Sequence, residues 1–114
     1  MITPGEYLSF VHYVERGDKN NAGRRLQHVA LGLASEAGEM ADLCKKEIVT
    51  GEPVDLAKAF DEGGDALYYI GILLNVSGRT FEELMEWNTI KLRRRKVHGK
   101  DKAAEAEMLR EFLR

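Results

Sequence analysis

The residues best suited to chemistry are two pairs of carboxylates with three-residue spacing. Glu36 and Glu39 form the first pair, and Glu62 and Asp65 form the second. On a helix, residues three apart lie about one turn apart on the same face. Oxygen ligands without histidine or cysteine suit hard divalent cations. The two pairs therefore predict a site for Mg²⁺, with Mn²⁺ as an alternative.

Both pairs border apolar helix faces, which predicts that they point inward. Helical rotation places Glu36 beside apolar residues, with Glu39 at the edge of that stripe, and gives Glu62 and Asp65 apolar neighbours in the same way. A buried carboxylate without a partner binds a proton or a cation, because its isolated charge is costly. The alternative is that each pair forms an acidic patch in solvent, because a single acidic pair on a helix is usually exposed.

Three glycines lie inside the predicted helices beside these carboxylates, at positions Gly38, Gly63 and Gly64. Each costs on the order of 1 kcal/mol relative to alanine in a helix interior. We therefore expect a close backbone approach at the carboxylate pairs, whether for a site or for tight helix packing alone.

Apolar periodicity and capping signals predict an all-α small helical bundle, with about four main helices plus a C-terminal helical segment. No alternating strand pattern is present. The first helix starts at Thr3-Pro4 and ends near Glu15. The second runs from Gly23 or Arg24 to about Val49, and the third runs from Val54 or Asp55 to about Ser77. The fourth starts at a Thr80–Glu83 capping box and runs into the basic stretch 93–96, and the helical tail covers about 101–114.

Length, charge and cysteine usage narrow the function classes. The 114 residues fit one domain spanning 1–114, and the net charge of −2 argues against binding nucleic acid through its phosphates.

Cys44 is the only cysteine, so neither a disulfide framework nor a thiolate zinc site is predicted, and a reducing cytoplasm is expected. No apolar stretch is long enough to span a membrane. The three histidines show no metal-ligand spacing: His12, His28 and His98.

The segment from Leu31 to Arg95 resembles the MazG-like, all-α nucleoside triphosphate pyrophosphohydrolases, with a motif core at about 24–95. It follows that family's order of E-x-x-E, a loop, E-x-x-D, and then N-x-x-K-L-x-x-R after a capped turn. The matching stretches are LASEAGEMADLCKK, FDEGGDALYYIGILL and TFEELMEWNTIKLRRR. The resemblance implies the all-α NTP pyrophosphatase fold. It also implies Mg²⁺-dependent hydrolysis of an NTP or dNTP between the α and β phosphates, giving monophosphate and pyrophosphate in nucleotide-pool housecleaning.

The resemblance also implies roles for named positions. The metal ligands would be Glu36, Glu39, Glu62 and Asp65. Tyr69 would line the nucleotide pocket, and the triphosphate would contact Asn88, Lys91 and Arg94. One departure is Ser35, because many members have at this position a glutamate that could act as general base. The base is therefore left open between a metal-bound hydroxide, Glu36 and Glu39.

Further candidates follow from residue type and spacing. Lys91, Arg94 and Arg95 lie one turn apart on the predicted fourth helix and can converge on one phosphate chain. For any one of these residues, an alternative of equal weight is that its side chain lies in solvent and its positive charge complements the negative end of the helix dipole. Trp87 could stack on a base or pack in the core, whereas core packing is the favoured interpretation of Phe60.

The apolar surface of the third helix predicts a homodimer that completes the core, with a tetramer as an alternative. Two other functions remain open. A non-catalytic helical interaction or regulatory module would use the acidic patch to bind a basic partner, without Mg²⁺ dependence and with tolerance of Glu62→Gln. A metal-dependent phosphohydrolase would instead release orthophosphate, which product analysis distinguishes.

Overall fold

A computed structural model describes all 114 residues and shows only α-helices joined by short turns. The all-α prediction is confirmed, and the observed helix ends fall within a turn of the predicted ones. The helices are α1 (Pro4–Val14), α2 (Ala22–Thr50), α3 (Leu56–Ser77), α4 (Phe81–His98) and α5 (Lys102–Leu113). None of the five combines the length and apolar character that a bilayer crossing requires.

Side-chain caps and glycines set the helix ends. The Asp55 carboxylate accepts hydrogen bonds from the first free N–H groups of α3. Thr80 and Glu83 form the predicted capping box at the start of α4, each side chain bonding to the other residue's backbone. Gly51 and Gly78 end α2 and α3 with φ of +76° and +67°. Glycine adopts this left-handed conformation without steric cost, so these two residues stop the helices where the sequence predicted.

The chain divides into two compact units, residues Met1–Gly78 and Arg79–Arg114. In the first unit, α3 contacts both α1 and α2. Each of the three helices contributes one residue to the buried core: Val11, Val29 and Ile72. The side-chain amide of Asn75 also donates to the carbonyl oxygen of Leu8 at 3.0 Å, which fixes α1 against α3.

Close helix approach occurs at two glycines of the first unit. A Cβ at Gly32 would lie 2.3 Å from the ring of Tyr69, so the absence of a side chain lets that ring lie against α2. A Cβ at Gly71 would lie 3.0 Å from a methyl group of Val11. These glycines set the spacing of α3 from its two neighbours.

The expected close approach at Gly38, Gly63 and Gly64 is wrong, because nothing lies within 4 Å of a Cβ built at any of the three. The reason is helical rotation. Gly38 and Gly64 follow the inward carboxylates Glu36 and Glu62 by two residues, which turns them by about 200° to the opposite face. The carboxylate side chains thus occupy the interface between α2 and α3, and these glycines face outward.

The second unit is a helical hairpin of α4 and α5. The guanidinium group of Arg95 donates to both carboxylate oxygens of Glu105, at 2.7 and 2.6 Å. This hydrogen bonding lowers the pKa of Glu105 to about 2. The rings of Trp87 and Phe112 lie 5.9 Å apart. The predicted tail therefore belongs to the same unit as α4, while a single domain over 1–114 stays a prediction.

Candidate metal centre

The two carboxylate pairs lie opposite each other because α2 and α3 run antiparallel. Tyr69 contacts Gly32 near the beginning of α2, whereas Glu62, earlier in α3, meets Glu36 and Glu39 later in α2. A short turn at 51–55 reverses the chain between the two helices. The three-residue spacing then brings each pair to the shared interface.

Three of the four predicted ligands form one cluster. One carboxylate oxygen each from Glu36, Glu62 and Asp65 lie within 4.8 Å of one another. Oxygens around a six-coordinate Mg²⁺ are separated by roughly 3–4 Å, given its short metal–oxygen distances. The donor set contains only oxygen, so it fits Mg²⁺ or Mn²⁺ rather than a softer metal.

Two oxygens in this cluster are buried without a partner. Glu36 and Glu62 are half-buried, and when the carboxylates are ionised the Oε2 atom of each is shielded from solvent and has no hydrogen-bond donor. No lysine or arginine forms an ion pair with either residue or with Asp65. Buried carboxylate oxygens without donors are costly. A divalent cation held among these carboxylates would offset that cost, so the surroundings fit the predicted group.

The fourth carboxylate, Glu39, lies beside Glu62 at the exposed edge of the cluster. Hydrogen bonding to Glu62, followed by the negative charge of Glu62, raises the pKa of Glu39. The hydrogen bond with Glu39 lowers the pKa of Glu62. Hydrogen bonding to Glu36, burial, and the negative charges of Glu36 and Asp65 act in the opposite direction and outweigh it, so the pKa of Glu62 is raised. The carboxylates thus share protons when no cation is bound.

These raised pKa values have a consequence for stability. The folded chain holds protons on Glu39 and Glu62 more tightly than the unfolded chain does. The resulting stabilisation is fully present below the ordinary pKa of 4.5 and is lost as pH rises through the raised values. Above the raised pKa values, the ionised cluster therefore opposes folding unless a cation balances its charge.

Tyr69 lies one turn beyond Asp65 on α3 and is half-buried. Its ring makes edge contacts with His28, at a centroid distance of 5.4 Å, and with Tyr68, at 5.3 Å. Together with Gly32, these contacts hold the ring between α2 and α3. The predicted role of Tyr69 in lining a nucleotide pocket stays a prediction.

The other predicted substrate-binding residues lie on α4, in the second unit. Asn88 is exposed, Lys91 and Arg94 are half-buried, and the Nη1 atom of Arg94 is buried without a hydrogen-bond partner. Arg95 and Trp87 are engaged by Glu105 and Phe112 within the hairpin. A contact of these α4 residues with a triphosphate stays a prediction.

Sequence reasoning did not foresee the two α2 residues that contact Tyr69, namely Gly32 and His28. Both lie on the α2 face of Glu36, at spacings of four and eight residues. One signal in the sequence could have predicted the contact between Gly32 and Tyr69. Gly32 lies one turn before Glu36, and Tyr69 lies one turn after Asp65. This signal appears only when the two helices are aligned antiparallel.

No protein-family model matches the chain, and neither a curated protein nor a solved structure matches it. The MazG-like resemblance therefore rests on the motifs alone and stays a prediction.

Proposed function

We propose that this chain is a Mg²⁺-dependent nucleoside triphosphate pyrophosphohydrolase of the MazG-like type. The observation that carries the proposal is the meeting of Glu36, Glu62 and Asp65, with two buried oxygens that have no hydrogen-bond donor. The order of motifs in the sequence supplies the reaction class. The lone cysteine supports a reducing cytoplasm as the location.

The carboxylates divide into two roles in this proposal. Glu36, Glu62 and Asp65 hold the cation, which when bound neutralises charge on the triphosphate. Glu39 is exposed and lies outside the three-oxygen group, and its raised pKa suits acceptance of a proton from the attacking water. This assignment supplies a base although Ser35 stands where many relatives of the proposed type have a glutamate.

The phosphate chain is assigned to α4 by the motif resemblance and by the charges of that helix. Arg94 has a guanidinium nitrogen without a partner, and Lys91 and Asn88 lie one and two turns before it along the helix. Cations at this spacing stabilise the charge that builds on departing pyrophosphate. Arg95 is instead assigned to positioning α5 through Glu105.

A nucleotide panel tests the proposal. With Mg²⁺ present, we expect at least one NTP or dNTP to yield equal amounts of monophosphate and pyrophosphate. The same reaction should stop when EDTA removes the cation. Release of orthophosphate would identify the alternative phosphohydrolase. Failure to hydrolyse every nucleotide, together with unchanged folding in Glu62→Gln, would favour the interaction module.

We also propose that two copies associate through the uncovered face of α3. Only four apolar residues are buried in the chain: Val11, Val29, Ile72 and Leu74. In contrast, Leu56, Phe60 and Leu67 lie on one α3 face with 78%, 87% and 41% of their surface exposed. A face of this kind matches the apolar centre of a homodimer interface. A second copy can also present the same face, as two-fold symmetry requires.

The test of this interface is Phe60→Lys, which places a positive charge on the apolar face. We expect the unchanged chain to have the mass of a dimer in light scattering coupled to size exclusion, and Phe60→Lys to have the mass of a monomer. The expected core packing of Phe60 is wrong, because most of its surface is exposed in the protomer. The helical circular dichroism of the protomer should therefore persist in Phe60→Lys. Val97→Lys replaces a similarly exposed residue of α4 and should remain dimeric. A monomeric unchanged chain at high micromolar concentration would rule out the interface.

A further inference from the structure

The turn between α1 and α2 borders an open pocket of about 200 Å³, called here the turn pocket. Its lining consists of residues 15–18 from the turn together with Arg24, Arg25 and His28 from α2. Three of these side chains are guanidinium groups. The pocket belongs entirely to the first unit and contains none of the four clustered carboxylates.

A buried ion pair forms the framework of the turn pocket. The Glu15 side chain is 1% exposed, and its two oxygens accept hydrogen bonds from Arg25 at 2.8 Å each. Arg25 also donates to the carbonyl oxygen of Lys19 at 3.2 Å. Lys19 in turn donates through its ammonium group to the carbonyl oxygen of His12. These contacts tie the turn to both helices and hold Glu15 and Arg25 in place, whereas Arg16, Arg24 and His28 are exposed at the rim of the pocket.

The framework leaves two arginines without a counter-charge. Arg25 neutralises Glu15, whereas neither Arg16 nor Arg24 has an ion-pair or side-chain hydrogen-bond partner. The remaining carboxylate, Asp18, accepts a hydrogen bond from the backbone N–H of Asn20 at 2.9 Å. Counting three arginines against Glu15 and Asp18, the lining carries a net charge of +1 with His28 neutral.

Guanidinium groups match the geometry of phosphate oxygens through paired hydrogen bonds. A pocket with a rigid Glu15–Arg25 framework and two exposed, uncommitted guanidinium groups at its rim therefore has the features of an oxyanion site. We propose that the turn pocket binds a phosphate-type oxyanion through Arg16 and Arg24. The anion is either free phosphate or the phosphate of a nucleotide, and the binding does not depend on a divalent cation.

The pocket's position suits a nucleotide as well as a free ion. His28 connects the turn pocket to the ring of Tyr69. It precedes Glu36 by eight residues, which corresponds to about 12 Å along α2. A phosphate at this distance from the carboxylates would be separate from any phosphate held there by a cation.

The test is a titration of ¹⁵N-labelled protein with inorganic phosphate in EDTA, with chloride holding the ionic strength constant. We expect saturable shifts of the Arg16 and Arg24 side-chain signals and of His28. A parallel titration with ATP in EDTA identifies the source. Tighter binding of ATP than of phosphate at the same signals indicates a nucleotide, and equal or weaker binding indicates the free ion.

The matched variants keep the Glu15–Arg25 framework. Arg16→Gln combined with Arg24→Gln should weaken phosphate binding by at least about tenfold, because charge-assisted hydrogen bonds are lost. Arg93→Gln combined with Arg110→Gln removes the same charge from exposed positions of the second unit and should leave binding unchanged. Phosphate shifts absent from the pocket, or equal affinity in both double variants, would overturn the proposal. Removal of the cation by EDTA keeps this result independent of the proposed hydrolysis.

Discussion

Asp65→Asn is expected to abolish Mg²⁺ binding and to lower the rate of NTP hydrolysis by on the order of 10³-fold. The substitution keeps the shape of the side chain but removes one of three charges that meet at the cluster. The effect is large because the proposed reaction relies on the cation to neutralise triphosphate charge. Isothermal titration with Mg²⁺ and pyrophosphate release measure the two consequences on the same sample.

Glu39→Gln separates proton transfer from metal binding. In our assignment Glu39 lies outside the three-oxygen group, so Mg²⁺ affinity should change by only a few-fold while the hydrolysis rate falls by about 10²–10⁴-fold. Glu47→Gln removes an exposed charge from the same helix and should leave both quantities near their original values. Equal loss of Mg²⁺ affinity in Glu39→Gln and Asp65→Asn would make Glu39 a fourth ligand. Retained Mg²⁺ affinity and hydrolysis in Asp65→Asn would exclude the metal centre itself.

The cluster could be predicted because its geometry depends on helical periodicity. Three-residue spacing places each pair of carboxylates on one face, and the turn at 51–55 is too short to allow anything except an antiparallel neighbour. The pattern of Val29, Glu36 and Met40 then indicates which face of α2 meets α3. Local spacing was therefore enough to bring Glu36, Glu62 and Asp65 together.

Other features depend on contacts that periodicity does not specify. Arg95 was predicted to bind phosphate, but Glu105 lies ten residues later on the next helix and engages its guanidinium group. Which of several adjacent cations meets a distant carboxylate depends on the angle between α4 and α5. Similarly, Gly38 and Gly32 look alike in sequence, and only the placement of Tyr69 shows which of them needs to be glycine.

The Tyr69–Gly32 contact leads to the largest expected effect on stability. In Gly32→Ala, the new methyl group would lie 2.3 Å from two carbons of the Tyr69 ring and 2.5 Å from a third, so the ring or the helix must move. The ring is held by His28 and Tyr68 and has little freedom to turn away. Overpacking of this kind costs about 3 kcal/mol, and the better helix propensity of alanine offsets about 1 kcal/mol. We expect a net loss of about 2 kcal/mol and a melting temperature lower by about 10 °C.

Gly38→Ala provides the matched control on the same helix. Nothing lies within 4 Å of a Cβ at this position, so only the helix-propensity gain of up to about 1 kcal/mol remains, and the melting temperature should rise. The two substitutions are chemically identical and differ only in what the methyl group meets. Urea unfolding curves of the metal-free proteins measure both changes in the free energy of unfolding.

A second substitution shows whether the Tyr69 ring is the cause. Tyr69→Leu removes the ring, so adding Gly32→Ala to it should destabilise the protein far less than Gly32→Ala does alone. Because Tyr69 lies one turn from Asp65 on α3, displacement of its ring should also weaken Mg²⁺ binding by the carboxylates. Equal destabilisation by Gly32→Ala with and without the ring would show that the methyl group disturbs α2 itself. The spacing of α2 and α3 would then not depend on Tyr69.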